Sequence, residues 1–154
     1  MIINDFKVPI IKKGISKVSS LKNEFINKKI ILFGVPGAFT PTCSEKHLPG
    51  YIKLYNSFKN KKIDDIYCLS VNDEHVMKSW LVSYTDGEKI NGIADGNAEI
   101  TKYFDLISDK TKNYMGFRCT RFAMIIENNV VIKKYIENNG EYKVSSAEHI
   151  LEKI

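Results

Sequence analysis

Two apolar runs constrain this chain more than any other feature. "KIILFGV", Lys29 to Val35, and "DIYCLSV", Asp65 to Val71, are too continuously apolar to leave one face in water, and too short for buried helices. Both are expected to be buried strands. Between them, from Thr42 on, Leu48, Ile52, Tyr55 and Phe58 recur every three or four residues, which predicts a helix. After the second run, Asn72 or Asp73 can cap a helix with Val76, Trp80 and Tyr84 on its apolar side.

The pattern continues along the chain. "INGIAD", Ile90 to Asp95, reads as a short third strand, followed by a helix from Ala98 to Phe104. Ile107 to Cys119 reads as looser chain. "RFAMIIENNVVIKKYI", Arg121 to Ile136, reads as two strands around an Asn128-Asn129 turn, because asparagine tolerates positive φ. In "SSAEHILEKI", Ser145 and Glu148 stand at capping-box spacing and open a final helix. Strand and helix alternate, then a hairpin and a helix follow. That order predicts an α/β, thioredoxin-like fold with a central mixed sheet flanked by helices, as one domain over residues 1–154.

Bulk properties narrow the function. The chain has 154 residues, enough for one real core, with 44% apolar and 27% charged residues. No apolar run approaches the ~18 residues of a membrane helix. The N-terminus lacks a signal-peptide layout, so a cytoplasmic location is expected, or an organelle if a targeting segment has been removed. Net charge is +5, but the lysines are scattered rather than gathered into a stripe. That speaks against nucleic acid and for a mild preference for small anions. The three cysteines, Cys43, Cys68 and Cys119, are an odd count without a C-x-x-C pair. They suit a reducing compartment rather than a disulfide framework. They and the three histidines lack metal-site spacing, so no metal is expected.

The chemistry concentrates in "FGVPGAFTPTCSEKHLPG", residues 33 to 50. A strand runs into a bend stiffened by Pro36 and Pro41 and turned at Gly37. Cys43 then opens a helix. Unpaired N–H groups and the helix dipole favour a thiolate at such a place. Thr40 lies three residues earlier, and its hydroxyl can reach the sulfur or a substrate oxygen. His47 lies one helical turn beyond Cys43 and is expected to serve packing or hydrogen bonding rather than act as a base. Glu45 reads as a solvated first-turn acid.

"PGAFTPTC", Pro36 to Cys43, resembles the peroxiredoxin active-site motif Pro-x-x-x-Thr-x-x-Cys. The longer stretch resembles the type II, or peroxiredoxin-5-like, branch. "CLSVND", "GFRCTRFA" and "SSAEHIL" resemble further segments of that branch in the same order, the last in its plant-type members.

The resemblance implies a thiol-specific peroxidase acting on hydrogen peroxide and alkyl hydroperoxides. Cys43 would be the peroxidatic cysteine. Thr40 would align thiolate and peroxide, Pro36 would shield the sulfur, and Arg121 would stabilise thiolate and transition state. Arg118 is expected to form a surface ion pair. The loop before the last helix, "GEYKVSS", lacks the cysteine with which some members resolve the sulfenic acid. Cys68 reads as inert core; Cys119, two residues from Arg121, leaves open both an exposed regulatory or glutathionylated thiol and a residue without a role in the cycle. The expected cycle therefore uses one cysteine and an external thiol, glutathione with glutaredoxin or else thioredoxin, without a cofactor. The alternative is a redox sensor or relay that forms mixed disulfides with partner proteins. Branch members pair as homodimers, and Phe39, Tyr84 and Phe117 are candidates for that surface.

Overall fold

The computed structural model describes residues 1–154. Nine strands and six helices follow in chain order. They are β1 (Lys7–Lys12), β2 (Ile15–Ser20), α1 (Leu21–Phe25), β3 (Lys29–Val35), α2 (Leu48–Lys53), α3 (Tyr55–Asn60), β4 (Asp65–Ser70), α4 (Glu74–Val82), β5 (Asn91–Ala94), α5 (Glu99–Tyr103), β6 (Ile107–Asp109), β7 (Phe117–Cys119), β8 (Phe122–Glu127), β9 (Val130–Ile136) and α6 (Ala147–Lys153). Seven strands form one mixed sheet in the order β2-β1-β5-β4-β3-β8-β9. The strands β3, β4 and β5 run parallel, while β8 lies antiparallel to β3 and β1 to β5. This is the expected α/β sheet with helices on both faces. No helix is long and apolar enough to cross a membrane.

The two apolar runs are the neighbouring central strands β3 and β4. Their side chains alternate between two cores. Ile31, Phe33, Ile66 and Cys68 face a core shared with Tyr51, Phe58 and Trp80. Ile30, Leu32, Tyr67 and Leu69 face the other, with Phe25, Phe104 and Phe122. Both faces are covered, so the runs carry no polar alternation. Gly34 belongs to this packing: a Cβ there would stand 2.1 Å from the Phe122 ring.

The β8–β9 hairpin turns at Asn128 and Asn129, both at positive φ, as the turn type requires. Asp73, not Asn72, caps α4 by accepting from the Val76 N–H. The Asn72 side chain instead accepts from the Ala38 N–H at 3.0 Å and ties the bend after β3 to the end of β4. Ser146, not Ser145, caps α6 by accepting from the His149 N–H. The looser stretch contains the small β6–β7 hairpin.

Candidate active site

At the carboxyl end of β3 the chain bends through Pro36 to Pro41. Phe39 sits in this bend at φ 64 with its ring exposed, a costly conformation for a residue with a Cβ. The Thr40 hydroxyl donates to the Gly37 carbonyl at 2.7 Å and closes the bend from within. The oxygen, as a hydroxyl, retains the capacity to accept. Of the two partners the sequence offers this hydroxyl, the sulfur or a substrate oxygen, neither takes its hydrogen here, which goes to Gly37. Arg118 closes the bend from outside, donating from Nε to the Met115 carbonyl at 2.9 Å and from Nη1 to the Pro36 carbonyl at 3.5 Å. It forms no surface ion pair.

Cys43 opens a wide π-type turn, Cys43–His47, in which the Leu48 N–H reaches back to the Cys43 carbonyl. Such turns are rare and concentrate at functional sites. The added residue per turn leaves His47 close to the face that carries Cys43, so one side chain can serve both. That side chain is Arg121, which enters from the start of β8. Its Nη2 donates to Cys43 Sγ at 3.2 Å, and its Nη1 meets His47 Nδ1 at 2.9 Å. Arginine only donates, so Nδ1 accepts and Nε2 carries the imidazole hydrogen. Nε2 donates to the Ser145 carbonyl at 3.0 Å. Burial first, and then the Arg121 charge, push the His47 pKa from 6.5 down to about 3. The ring is neutral and cannot act as a base at Cys43.

Behind His47 lies an acid that sequence reasoning missed. Glu137 Oε2 accepts from Lys143 N–H at 2.6 Å, Ser145 N–H at 3.0 Å and Ser145 Oγ at 2.7 Å. Burial raises its pKa, but these donors win and hold it below the ordinary carboxylate value. Its own N–H donates to the Arg121 carbonyl at 3.0 Å, which closes a ring through Arg121, His47, Ser145 and Glu137. The Tyr51 hydroxyl adds a second donor to the Ser145 carbonyl at 2.8 Å. An acid at the end of an edge strand reads as solvated; only the folded 137–145 loop reveals its partners.

Helix α4 steadies the turn from the other side. Trp80 Nε1 donates to Ser44 Oγ at 3.0 Å and the Tyr84 hydroxyl to the Ser44 carbonyl at 2.6 Å. Tyr84 is therefore half-buried against the site and is not the exposed aromatic that was expected. Glu45 is exposed, as expected.

The structure brings Cys43, Arg121, Thr40 and Pro36 to one place, and separates the other two thiols from it. Cys68 is buried in the core on the Cys43 side, and burial pushes its thiol well up. Cys119 lies in the core on the opposite face of the sheet, its thiol pushed up to about 12 by burial. Of the readings the sequence left open for Cys119, the structure removes the exposed thiol: β7 pairs with β6 and the sulfur is buried.

A buried thiol facing a guanidinium in a proline bend invites comparison with known proteins. Residues 3–151 match the family model described as Redoxin. The chain belongs to the redoxin family, as a peroxiredoxin. Peroxiredoxin-2D of Arabidopsis thaliana is 48% identical over 124 residues, 80% of this chain and 76% of that protein. The crystal structure of reduced Prx3 in complex with hydrogen peroxide, from Vibrio vulnificus, superposes with a TM-score of 0.93 at 40% identity, covering 99% of this chain and 96% of that one. The Plasmodium falciparum antioxidant protein, a 1-Cys peroxiredoxin, gives 0.91 at 36% identity over 99% and 95% of the chains. The resemblance to the type II branch holds over the fold as well as the motif. As a peroxiredoxin, the protein is a thiol-dependent peroxidase, an oxidoreductase that needs no prosthetic group.

Proposed function

We propose that Cys43 is the peroxidatic residue and that the cycle uses this one cysteine. The observation that carries the reading is the 3.2 Å approach of Arg121 Nη2 to Cys43 Sγ inside the Pro36–Pro41 bend. The thiolate attacks the near oxygen of hydrogen peroxide or an alkyl hydroperoxide. The O–O bond breaks, Cys43 becomes a sulfenic acid, and the far oxygen leaves as water or alcohol. Arg121 stabilises the charge that spreads onto the oxygens. The Thr40 hydroxyl accepts from the incoming peroxide and lines it up. The Cys43 N–H makes no hydrogen bond within the chain and supplies a further donor. Pro36 keeps water from the sulfur.

An external thiol then attacks the sulfenic sulfur. Cys68 and Cys119 have neither the exposure nor the acidity to do so. Glutathione with glutaredoxin is the favoured reductant and thioredoxin the second candidate. Cys43 is fully buried, so this step includes opening of the Cys43–His47 turn. We further propose a homodimer that covers Phe39 and Phe117, which are 57% and 59% exposed beside the bend. A pure monomer in sedimentation at micromolar concentration would remove the dimer.

The test is peroxide consumption with each reductant system, for wild type, Cys43→Ser and Cys68→Ser/Cys119→Ser. Loss only in Cys43→Ser supports the one-cysteine cycle and names its reductant. Activity that survives Cys43→Ser sinks the assignment, and loss in the double variant restores a resolving role to a core thiol.

A further inference from the structure

Beside the Cys43–Arg121 pair lies a cavity of about 840 Å³, which Arg121 lines while the Cys43 sulfur itself is buried behind it. Pro36, Thr42, Arg121, Lys46, Lys110 and the loop from Asn138 to Lys143 are among the residues that line it. Apolar side chains are scarce in it. The charges do not cancel. Glu141 is taken by Lys143 at 3.0 Å, and Arg121 by His47 and Cys43. Asp109 accepts from the Thr111 N–H at 2.9 Å. Lys46 has no carboxylate within ion-pair reach, and Lys110 meets only the Asn139 amide oxygen, at 3.2 Å. Lys46 and Lys110 therefore have no ion-pair partner, and although the Asp109 carboxylate keeps its charge, the cationic side chains outnumber the acids and the lining stays net positive.

Hydrogen peroxide is neutral and needs only a small part of this space. A long alkyl chain would find little apolar wall to cover it. A short substituent with a negative end fits both the size and the charge. We infer that the cavity seats the substituent of organic hydroperoxides that carry a carboxylate, with Lys46 and Lys110 as the specificity-determining residues.

This rests on Cys43 being the peroxidatic residue. The hydroperoxide enters with its O–O group toward Cys43 and its carboxylate toward the two lysines. Cys43 sulfur bonds to the terminal oxygen, the O–O bond breaks, and the leaving alkoxide takes a proton and departs as a hydroxy acid. Sulfur loses two electrons and the peroxide gains them.

Single-turnover oxidation without reductant isolates this step. The Trp80 indole, bonded to Ser44 beside Cys43, supplies the fluorescence readout. The probes are a tertiary alkyl hydroperoxide bearing a terminal carboxylate and its methyl ester. Wild type is expected to prefer the acid roughly tenfold at low salt, and added salt should erode the preference. In Lys46→Glu/Lys110→Glu the preference should vanish or reverse. Lys46→Met/Lys110→Met should fall between them. An unchanged acid-to-ester ratio in both variants overturns the inference while leaving the peroxidase intact. A ratio that moves only in steady state with a carboxylated thiol also overturns it, because the cavity then serves the reductant. A wild type that oxidises with neither probe nor hydrogen peroxide would refute the proposed function itself.

Discussion

Arg121 donates to His47 Nδ1 across 2.9 Å, and this bond gives the guanidinium only one way to meet Cys43. His47→Leu leaves one nitrogen of a part-buried guanidinium without its acceptor, which costs about 1 kcal/mol, the low end for an unpaired donor that water can partly reach. Arg121 then loses its aim, and single-turnover oxidation is expected to slow at least ~10-fold, the factor for ~1.4 kcal/mol in the barrier. His47→Gln keeps an acceptor and should recover much of the rate. Wild-type rates in both variants would show that His47 only fills space.

The same bond predicts a pH dependence of stability. The folded-state pKa of His47 is lowered from 6.5 to about 3, so between these values the unfolded chain holds a proton that the folded chain refuses. Stability from this group is complete above 6.5 and is lost as pH falls toward 3, by up to ~1.4 kcal/mol per unit. Glu137, whose pKa is lowered from 4.5, adds a loss only below that value. Between pH 6 and 5, denaturation midpoints of wild type should therefore fall faster than those of His47→Gln. Parallel curves would contradict a neutral buried imidazole.

Glu137→Gln removes the anion on which Lys143 and Ser145 converge. Hydrogen bonds to charged groups contribute ~1.5–3 kcal/mol each, and a partly compensating amide should leave a net loss of about 2 kcal/mol. The Ser145 carbonyl then stops fixing the His47 tautomer. The rate of Cys43 oxidation is expected to fall even at temperatures where the variant is fully folded by circular dichroism. A loss of melting temperature without a loss of rate would make Glu137 merely structural.

Gly34→Ala places a methyl group inside the Phe122 ring. Overpacking of this kind costs about 1–3 kcal/mol, and β3, which leads into the Cys43 bend, should be pushed apart from β8, which Arg121 precedes. A urea midpoint within error of wild type would show that Phe122 can step aside.

Thiol chemistry separates the three cysteines. Cys68 and Cys119 are buried and weakly acidic, Cys119 at about 12. In the folded protein at neutral pH, peroxide should oxidise Cys43 alone, and alkylating reagents should reach the other two only after denaturant is added. Mass spectrometry that finds Cys119 modified in the folded state would reopen its regulatory role.

Much of this was legible before the structure. The β3 and β4 runs announce themselves because both of their faces are buried. Cys43, Thr40, Pro36 and Arg121 follow from the bend and the family resemblance. What stayed hidden depends on partners distant in the chain. The β1–β2 hairpin has a proline in one strand and a half-wet partner strand, so neither reads clearly. Ser145 carries capping chemistry, yet Glu137 claims it and Ser146 takes the cap. Trp80 reads as core, and its indole N–H finds Ser44 only in three dimensions. Cys119 sits in a short hairpin whose strands are too brief for a periodic signal.

The Glu137–Ser145 clasp also sets the order in which the enzyme can come into being. A nascent chain carries Pro36, Thr40 and Cys43 early, but Glu137 and Ser145, which help to aim Arg121, follow only about a hundred residues later. Until then nothing holds the guanidinium of Arg121 against Cys43. Peroxidase activity should appear only after the segment through α6 has been made, and a fusion that restrains α6 would burden chemistry performed more than a hundred residues earlier in the chain.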